Sequence, residues 1–162
     1  MPAKIEENYR ELLKECLDST IVATLATAGE NGVWSAPIFF TYDKDFNIYF
    51  ISNKATRHVE NIRFNPNIAL SAFTPIHSES EPLIGIQMRG IAAEVPAEKI
   101  QEVYDSRARR ITHMTTFSRS GIGASLVKAH DGVFVQIKTA SISYVNTKVF
   151  GGNIIEVSLN EL

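Results

Sequence analysis

The sequence predicts a mainly β protein in which one antiparallel sheet closes, or nearly closes, into a barrel with helices at its periphery. Three observations predict it. Six or seven runs rich in β-branched and aromatic residues recur along the 162 residues, joined by turn signals or short helical patterns. They do not alternate strictly with long helices, so a doubly wound parallel sheet is not expected. Closure also removes exposed strand edges, which this many strands with so little helix would otherwise leave. A chain of this length buries roughly 70% of its unfolded surface, so a single domain over residues 1–162 is expected.

Element by element, residues 3–17 carry Ile5, Tyr9, Leu12, Leu13, Cys16 and Leu17 on one helical stripe. The period then changes to two. Ile21 to Thr27 reads as a strand, and Gly29-Glu30-Asn31-Gly32 as the turn of a hairpin, since Asn-Gly suits positive φ. Strands from Val33 to Tyr42 and from Phe46 to Ser52 follow, separated by Asp43-Lys44-Asp45, and complete a meander. A short helix over Ala55 to Phe64 has Thr56 at its N-cap and is stopped by Asn65-Pro66-Asn67. Asn67 to Phe73 is the next strand. The segment from Thr74 to Pro82, bracketed by prolines, is a loop. Leu83 to Val95 is a long strand, and Pro96 opens a helix. Val133 to Val145 and Asn153 to Val157 close the chain as strands, with Gly151-Gly152 turning between them.

Composition excludes several classes. With 16 Lys+Arg against 18 Asp+Glu and a net charge of −2, the chain lacks the basic excess of a general nucleic-acid binder. The single Cys16 excludes an intrachain disulfide framework. No apolar run approaches the ~20 residues that span a bilayer, and the N-terminal residues carry acids without an apolar core. A soluble, cytoplasmic protein without membrane partners is expected.

The common catalytic signatures GxxxxGK[ST], GxSxG and HExxH are absent. Gly121-Ile122-Gly123 lacks the third glycine of a dinucleotide loop and reads as a connector. His58, His77, His113 and His130 show no short metal-ligand spacing, so no metal site is expected. Cys16 lies on an apolar stripe with no flanking cation and reads as an inert buried thiol. Arg107, Arg109 and Arg110, with Arg119 nearby, fit a solvated helix end better than an anion subsite.

The informative stretch is Ile51 to Asn61, a strand end, a short connector and a helix start. Such a junction presents unpaired N–H groups and the positive end of a helix dipole. Around it stand the hydroxyls of Ser52 and Thr56 and the cations Lys54 and Arg57. That donor density suits a phosphomonoester, with Arg57 able to grip two oxygens and Lys54 acting as a point charge. A plain helix start with two solvated cations fits the same residues equally well. Pro37, inside Ser35-Ala36-Pro37-Ile38-Phe39, belongs at a sheet edge or a bulge, which leaves neighbouring backbone groups for a planar heterocycle. In Leu83-Ile84-Gly85-Ile86-Gln87-Met88-Arg89, period two puts Gln87 and Arg89 together, opposite Ile84, Ile86 and Met88. A ligand, a subunit interface and plain solvent all fit that polar face.

Taken in order, these segments resemble the FMN-binding split barrels related to pyridoxamine 5′-phosphate oxidase. The resemblance rests on Ile21–Thr27, Ser35-Ala36-Pro37, Ile48–His58, Asn61-Ile62, Asn65–Leu70 and Gln87-Met88-Arg89-Gly90. It covers residues 18–95 well and the rest by element order, with Tyr144-Val145-Asn146 to Phe150-Gly151 similar to a bacterial branch. It implies a six-stranded Greek-key split barrel, one FMN-binding domain over residues 1–162, and a homodimer with FMN at the subunit interface. By position it implies that Ser52, Thr56 and Arg57 hold the phosphate, that Ala36, Pro37 and Ile38 line the isoalloxazine through their backbone, and that Gln87 reaches the ring's polar edge. Lys54 and His58 complete the implied cofactor set. His58 stands where many relatives carry lysine, which would weaken phosphate binding unless Lys54 compensates.

The function expected on this basis is an FMN-dependent oxidoreductase acting on a small molecule, with no side chain singled out as acid or base. The alternative is a module that binds flavin or haem without turnover. A specific pyridoxamine phosphate oxidase is less well matched, because its substrate-binding residues find no counterpart in the C-terminal third.

Overall fold

A computed structural model describes residues 8–96, 98–100 and 131–161. Helix α1 (Tyr9–Asp18) leads into β1 (Val22–Gly29) and β2 (Gly32–Phe39). Strands β3 (Thr41–Tyr42) and β4 (Ile48–Asn53) precede α2 (Arg57–Phe64). Then come β5 (Asn67–Phe73), β6 (Ile84–Glu94) and β7 (Gly132–Asn146), the four-residue helix α3 (Thr147–Phe150) and β8 (Ile154–Val157). The predicted helix after Pro96 is described only at residues 98–100. Arg107, Arg109, Arg110, Arg119, His113, His130 and Gly121-Ile122-Gly123 lie outside the described residues.

All pairings are antiparallel, in the order β2-β1-β5-β6-β7-β4-β3, with β8 added to β7. The two ends of that path are one strand interrupted at Phe40, because β2 ends at Phe39 and β3 begins at Thr41. The sheet therefore returns to itself, which is the closure that the strand count predicts. Eight strands stand where six were expected, the extra two being the piece split off at Phe40 and the terminal β8. The class, a mainly β antiparallel split barrel with few helices, is as expected.

Strand alternation decides what goes inside. On β1, Ala23, Leu25 and Thr27 are buried while Val22, Thr24 and Ala26 are exposed; β5 repeats the pattern with Ile68, Leu70 and Ala72 inside. The core joins Leu25, Ile38, Phe50, Leu70, Ile86, Ile137 and Tyr144, and α1 contributes Leu13, Cys16 and Leu17 to it. Each fully buried Leu, Ile or Phe in such a core contributes about 1.5–3 kcal/mol. A smaller cluster of Tyr49, Phe134 and Ile100 covers the other face of β4 and β7. Burial pushes the Cys16 thiol up to about 11, against a smaller lowering by hydrogen bonds at Thr74, so at neutral pH it is an un-ionised core residue.

Gly90 marks the one irregularity between β6 and β7, where the register shifts between Arg89 and Gly90. A Cβ there would stand 2.6 Å from the Lys138 carbonyl oxygen and 2.6 Å from Ile137 Cγ2. Only glycine permits that approach, and the bulge it allows turns the long strand pair around the barrel.

Candidate anion corner and outer sheet face

The first region is the corner between β4 and α2. Asn53 ends the strand and folds the connector back on itself. Its carboxamide oxygen accepts from the Ala55 N–H (2.8 Å), and its carbonyl accepts from the Thr56 N–H (3.1 Å) and the Thr56 hydroxyl (2.8 Å). Thr56 thus occupies the N-cap position of α2, yet its side chain makes no capping bond to the helix. The Thr56 carbonyl accepts from the Val59 and Glu60 N–H groups (3.0 Å each), which leaves the N–H groups of Arg57 and His58 for another acceptor, and a helix N-terminus of this kind favours an anion.

Three side chains converge there. Ser52 Oγ lies 2.6 Å from His58 Nε2 and 3.2 Å from Thr56 Oγ1, and Thr56 Oγ1 lies 3.2 Å from the same imidazole nitrogen. The ring is half-buried beside Phe50, and desolvation holds its pKa below the ordinary histidine value. Desolvation thus favours the neutral imidazole of His58. Lys54 has a carboxylate partner of its own. Its ammonium pairs with the Asp131 carboxylate and its N–H donates to the Asp131 carbonyl, which ties it to the head of β7. Arg63 braces the connector from below, donating Nη1 to the Lys54 carbonyl (2.9 Å) and Nε to Glu94 (2.6 Å).

Arg57 is held differently. Its Nη2 donates to the Asn31 carbonyl at the tip of the β1–β2 hairpin (2.8 Å), and its guanidinium carbon sits 4.5 Å from the centre of the Trp34 ring. The hairpin is locked against α2 by the buried Asn61, whose Nδ2 donates to Thr27 Oγ1 (3.1 Å). Gly29 makes that lock fit, because a Cβ on it would run into the Asn61 side chain. Asn31 and Trp34 escaped the sequence reading. Their only local signal is that Asn31 belongs to the Asn-Gly turn and Trp34 follows it by two residues, and nothing in the spacing says that α2 lies against it.

The second region is the outer face of the sheet. Cross-strand register sets Pro37, Thr24, Ser71, Gln87, Ser143 and Glu156 in one row over six strands. The next row runs Ser35, Ala26, Ala69, Arg89 and Ser141. Gln87 and Arg89 are exposed together, opposite buried Ile86 and Met88, as period two predicts. Arg89 Nε donates to Ser141 Oγ (3.1 Å). Small side chains leave a shallow groove of about 480 Å³ between these rows, with Gln87, Arg89 and Glu156 on its wall. Pro37 is in the strand at the end of the pairing path, where its missing N–H costs nothing; Ala36 and Ile38 turn their side chains inward.

The corner brings the side chains of Ser52, Thr56 and His58 together, with Arg57 next to them in the chain and its guanidinium held on the β1–β2 hairpin, but it does not include Gln87. Ser52 pairs with Val133 near one end of β7, whereas Gln87 pairs with Ser143, ten residues further along it. That separation is about 33 Å of strand contour.

An antiparallel split barrel with an anion-type corner and a broad small-residue outer face defines a class of protein. The particular family follows from the sequence: the profile of pyridoxamine 5′-phosphate oxidase matches residues 6–146, and the chain belongs to that family. No curated protein matches it. Among solved structures, the haem-binding protein from Mycobacterium smegmatis superposes with a TM-score of 0.73 at 13% identity, covering 97% of this chain. The chain spans only 60% of that protein's length. A protein related to general stress protein 26 from Clostridium acetobutylicum gives 0.68 at 15% identity, covering 97% of this chain and 99% of its own. An FAD-binding protein from Mesorhizobium loti gives 0.59 at 20% identity, with 82% and 90% covered. Among the described residues no helix is long and apolar enough to cross a membrane, and no group of three or more His, Cys, Asp or Glu could hold a metal ion.

Proposed function

We propose that the protein is an FMN-binding flavoprotein, an oxidoreductase acting on a small molecule, and that it works as a cytoplasmic homodimer with FMN seated between the two copies. The observation that carries this reading is the β4–α2 corner. A helix start without a side-chain cap, two hydroxyls and one fixed guanidinium form the donor set that a phosphomonoester needs. Ser52, Thr56 and Arg57 would hold the phosphate, with His58 between the hydroxyls. Lys54 would contribute only long-range charge while it is paired with Asp131.

The outer face supports the dimer. Its centre is flat and small, while Val22, Phe39 and Phe73 at its margin are exposed apolar residues that a second copy would cover. Gln87, remote from the corner of its own chain, would then serve the flavin held by the other copy. There its carboxamide can donate to the ring edge where negative charge collects on reduction. The backbone of Ala36, Pro37 and Ile38, on the terminal strand, would line the ring. The bound flavin would supply two-electron chemistry; the chain's own residues bind it, orient it and exclude water.

A second reading, haem binding without turnover, draws on the named activity of the Mycobacterium smegmatis structure. Among the described residues that line the groove, only Met88 carries an iron-ligating side chain of the usual kind, and Met88 is buried on the opposite side of β6, which favours the flavin reading. The visible spectrum of the purified protein tests both. Flavin bands that bleach with NAD(P)H and return in air are expected. A colourless protein that ignores added FMN would sink the flavin reading, and a Soret band would favour haem.

A further inference from the structure

We infer that Trp34 and the Asn31 carbonyl are positioning groups for Arg57, holding its guanidinium ready for a phosphate without cancelling its charge. The inference rests on the FMN reading and names residues that neither the sequence pattern nor that reading assigns.

The cations around the corner are fixed in different ways. Lys54 and Arg63 are each paired with a carboxylate, Asp131 and Glu94 respectively. Among the described residues Arg57 has no carboxylate partner. Its neighbours are an indole face at 4.5 Å and a backbone carbonyl at 2.8 Å. Both attract a cation, but neither is an anion, so the full charge of Arg57 stays available to a ligand.

Arg57 is also ordered in advance. A free arginine loses much rotamer freedom when it grips an anion, which weakens binding by that amount. Here the side chain is already held at two points. One donor of Nη2 is used on Asn31, and most of the five N–H donors remain for two phosphate oxygens. The cradle is itself built into the fold: Asn31 and Trp34 belong to the hairpin that the Asn61–Thr27 bond and the close approach at Gly29 lock against α2. Stacking on Trp34 also shields one face of the guanidinium from water, which strengthens what the other side binds.

A double-mutant cycle on the full chain tests this, reading FMN and riboflavin affinity by flavin fluorescence. Trp34→Leu keeps apolar bulk without the π face, Trp34→Phe keeps a weaker one, and Arg57→Ala removes the cation. Trp34→Leu is expected to weaken FMN binding about fivefold and leave riboflavin, which lacks the phosphate, unchanged. Trp34→Phe should recover most of that loss. In the Arg57→Ala background Trp34→Leu should change nothing further. The inference is overturned by an equal loss for riboflavin, by a loss that persists without Arg57, or by unchanged FMN affinity in a folded Trp34→Leu protein. Failure of the unmodified protein to bind FMN would instead overturn the flavin reading, and this inference with it.

Discussion

The β4–α2 corner and the outer face of β1, β5, β6 and β7 are built on opposite principles. At the corner, charge and hydroxyl groups are gathered onto a few residues and each is held by a named partner: Arg57 by Asn31 and Trp34, Lys54 by Asp131, and Ser52 by His58. On the outer face the residues are small, and recognition is spread over register-matched rows of Thr24, Ser71 and Gln87, or Ala26, Ala69 and Arg89. The corner can be complete within one chain. The face, flat and margined by exposed Phe39 and Phe73, acquires a purpose when something flat covers it. One region is read by its charges and the other by what it leaves out.

The largest effect that separates them comes from filling the face. Ser71→Arg places a long cation beside Gln87 and Thr24, far from Ser52. If two copies meet there, the variant runs as a monomer in light scattering and loses more than 100-fold in FMN affinity, because burying an unpaired charge costs several kcal/mol. A dimer that survives Ser71→Arg would break the comparison, since the face would then be plain solvent-exposed surface.

Arg57→Ala strikes the other region. It removes the fixed cation facing the corner, and FMN affinity should fall about 30-fold, on the order of 2 kcal/mol. Riboflavin affinity, the dimer and the melting temperature should hardly change. Equal losses for both flavins would relocate Arg57 away from the phosphate.

The pH dependence sharpens the corner further. Burial lowers the pKa of His58 from 6.5 in the free protein, and a bound phosphate favours the imidazolium. The bound-state pKa therefore lies above the free one, and FMN affinity should rise as pH falls through the bound-state value. Titration of the phosphate itself, near pH 6, bounds that rise. In the free protein the same depression works against stability: the unfolded chain binds the proton more readily, so stability is lost as pH drops below 6.5. Calorimetry in buffers of different ionisation enthalpy measures the proton uptake, and His58→Gln should abolish it. An unchanged slope in that variant would assign the proton elsewhere.

The smallest effect is Gln87→Ala, about threefold in affinity for FMN and riboflavin alike, the cost of one neutral hydrogen bond. A loss confined to FMN would move Gln87 from the ring to the phosphate and merge the two regions.

Much of this architecture can be read from the chain alone, because it depends on local periodicity. Alternation matches the buried and exposed faces residue by residue along Asn67–Phe73, and from Ile86 to Ala93 along β6. The Asn-Gly turn, the stop at Asn65-Pro66 and the terminal-strand position of Pro37 follow from backbone chemistry that acts over a few residues. The break at Phe40 was less legible, since Val33 to Tyr42 has an unbroken strand composition and only the bending of the closed sheet interrupts it. At the corner, the sequence supplied Ser52, Thr56, Arg57 and His58 but not which of Lys54 and Arg57 is paired with a carboxylate. They differ because Lys54 meets Asp131, distant in sequence, while Arg57 meets an indole and a carbonyl on another hairpin.

Residue type and spacing thus determined which groups are present, which side of each strand they occupy and which segment could serve an anion, since these are properties of neighbours in the chain. Folding decided which of those groups keep their charge and which reach one another. Gln87 and Ser52 appear as parts of one site in the order of motifs, yet their partners on β7, Ser143 and Val133, lie ten residues apart. Trp34, in no motif at all, lies against Arg57. Contacts of that kind are set by how the barrel closes and how α2 seats on the β1–β2 hairpin, and no local pattern encodes them.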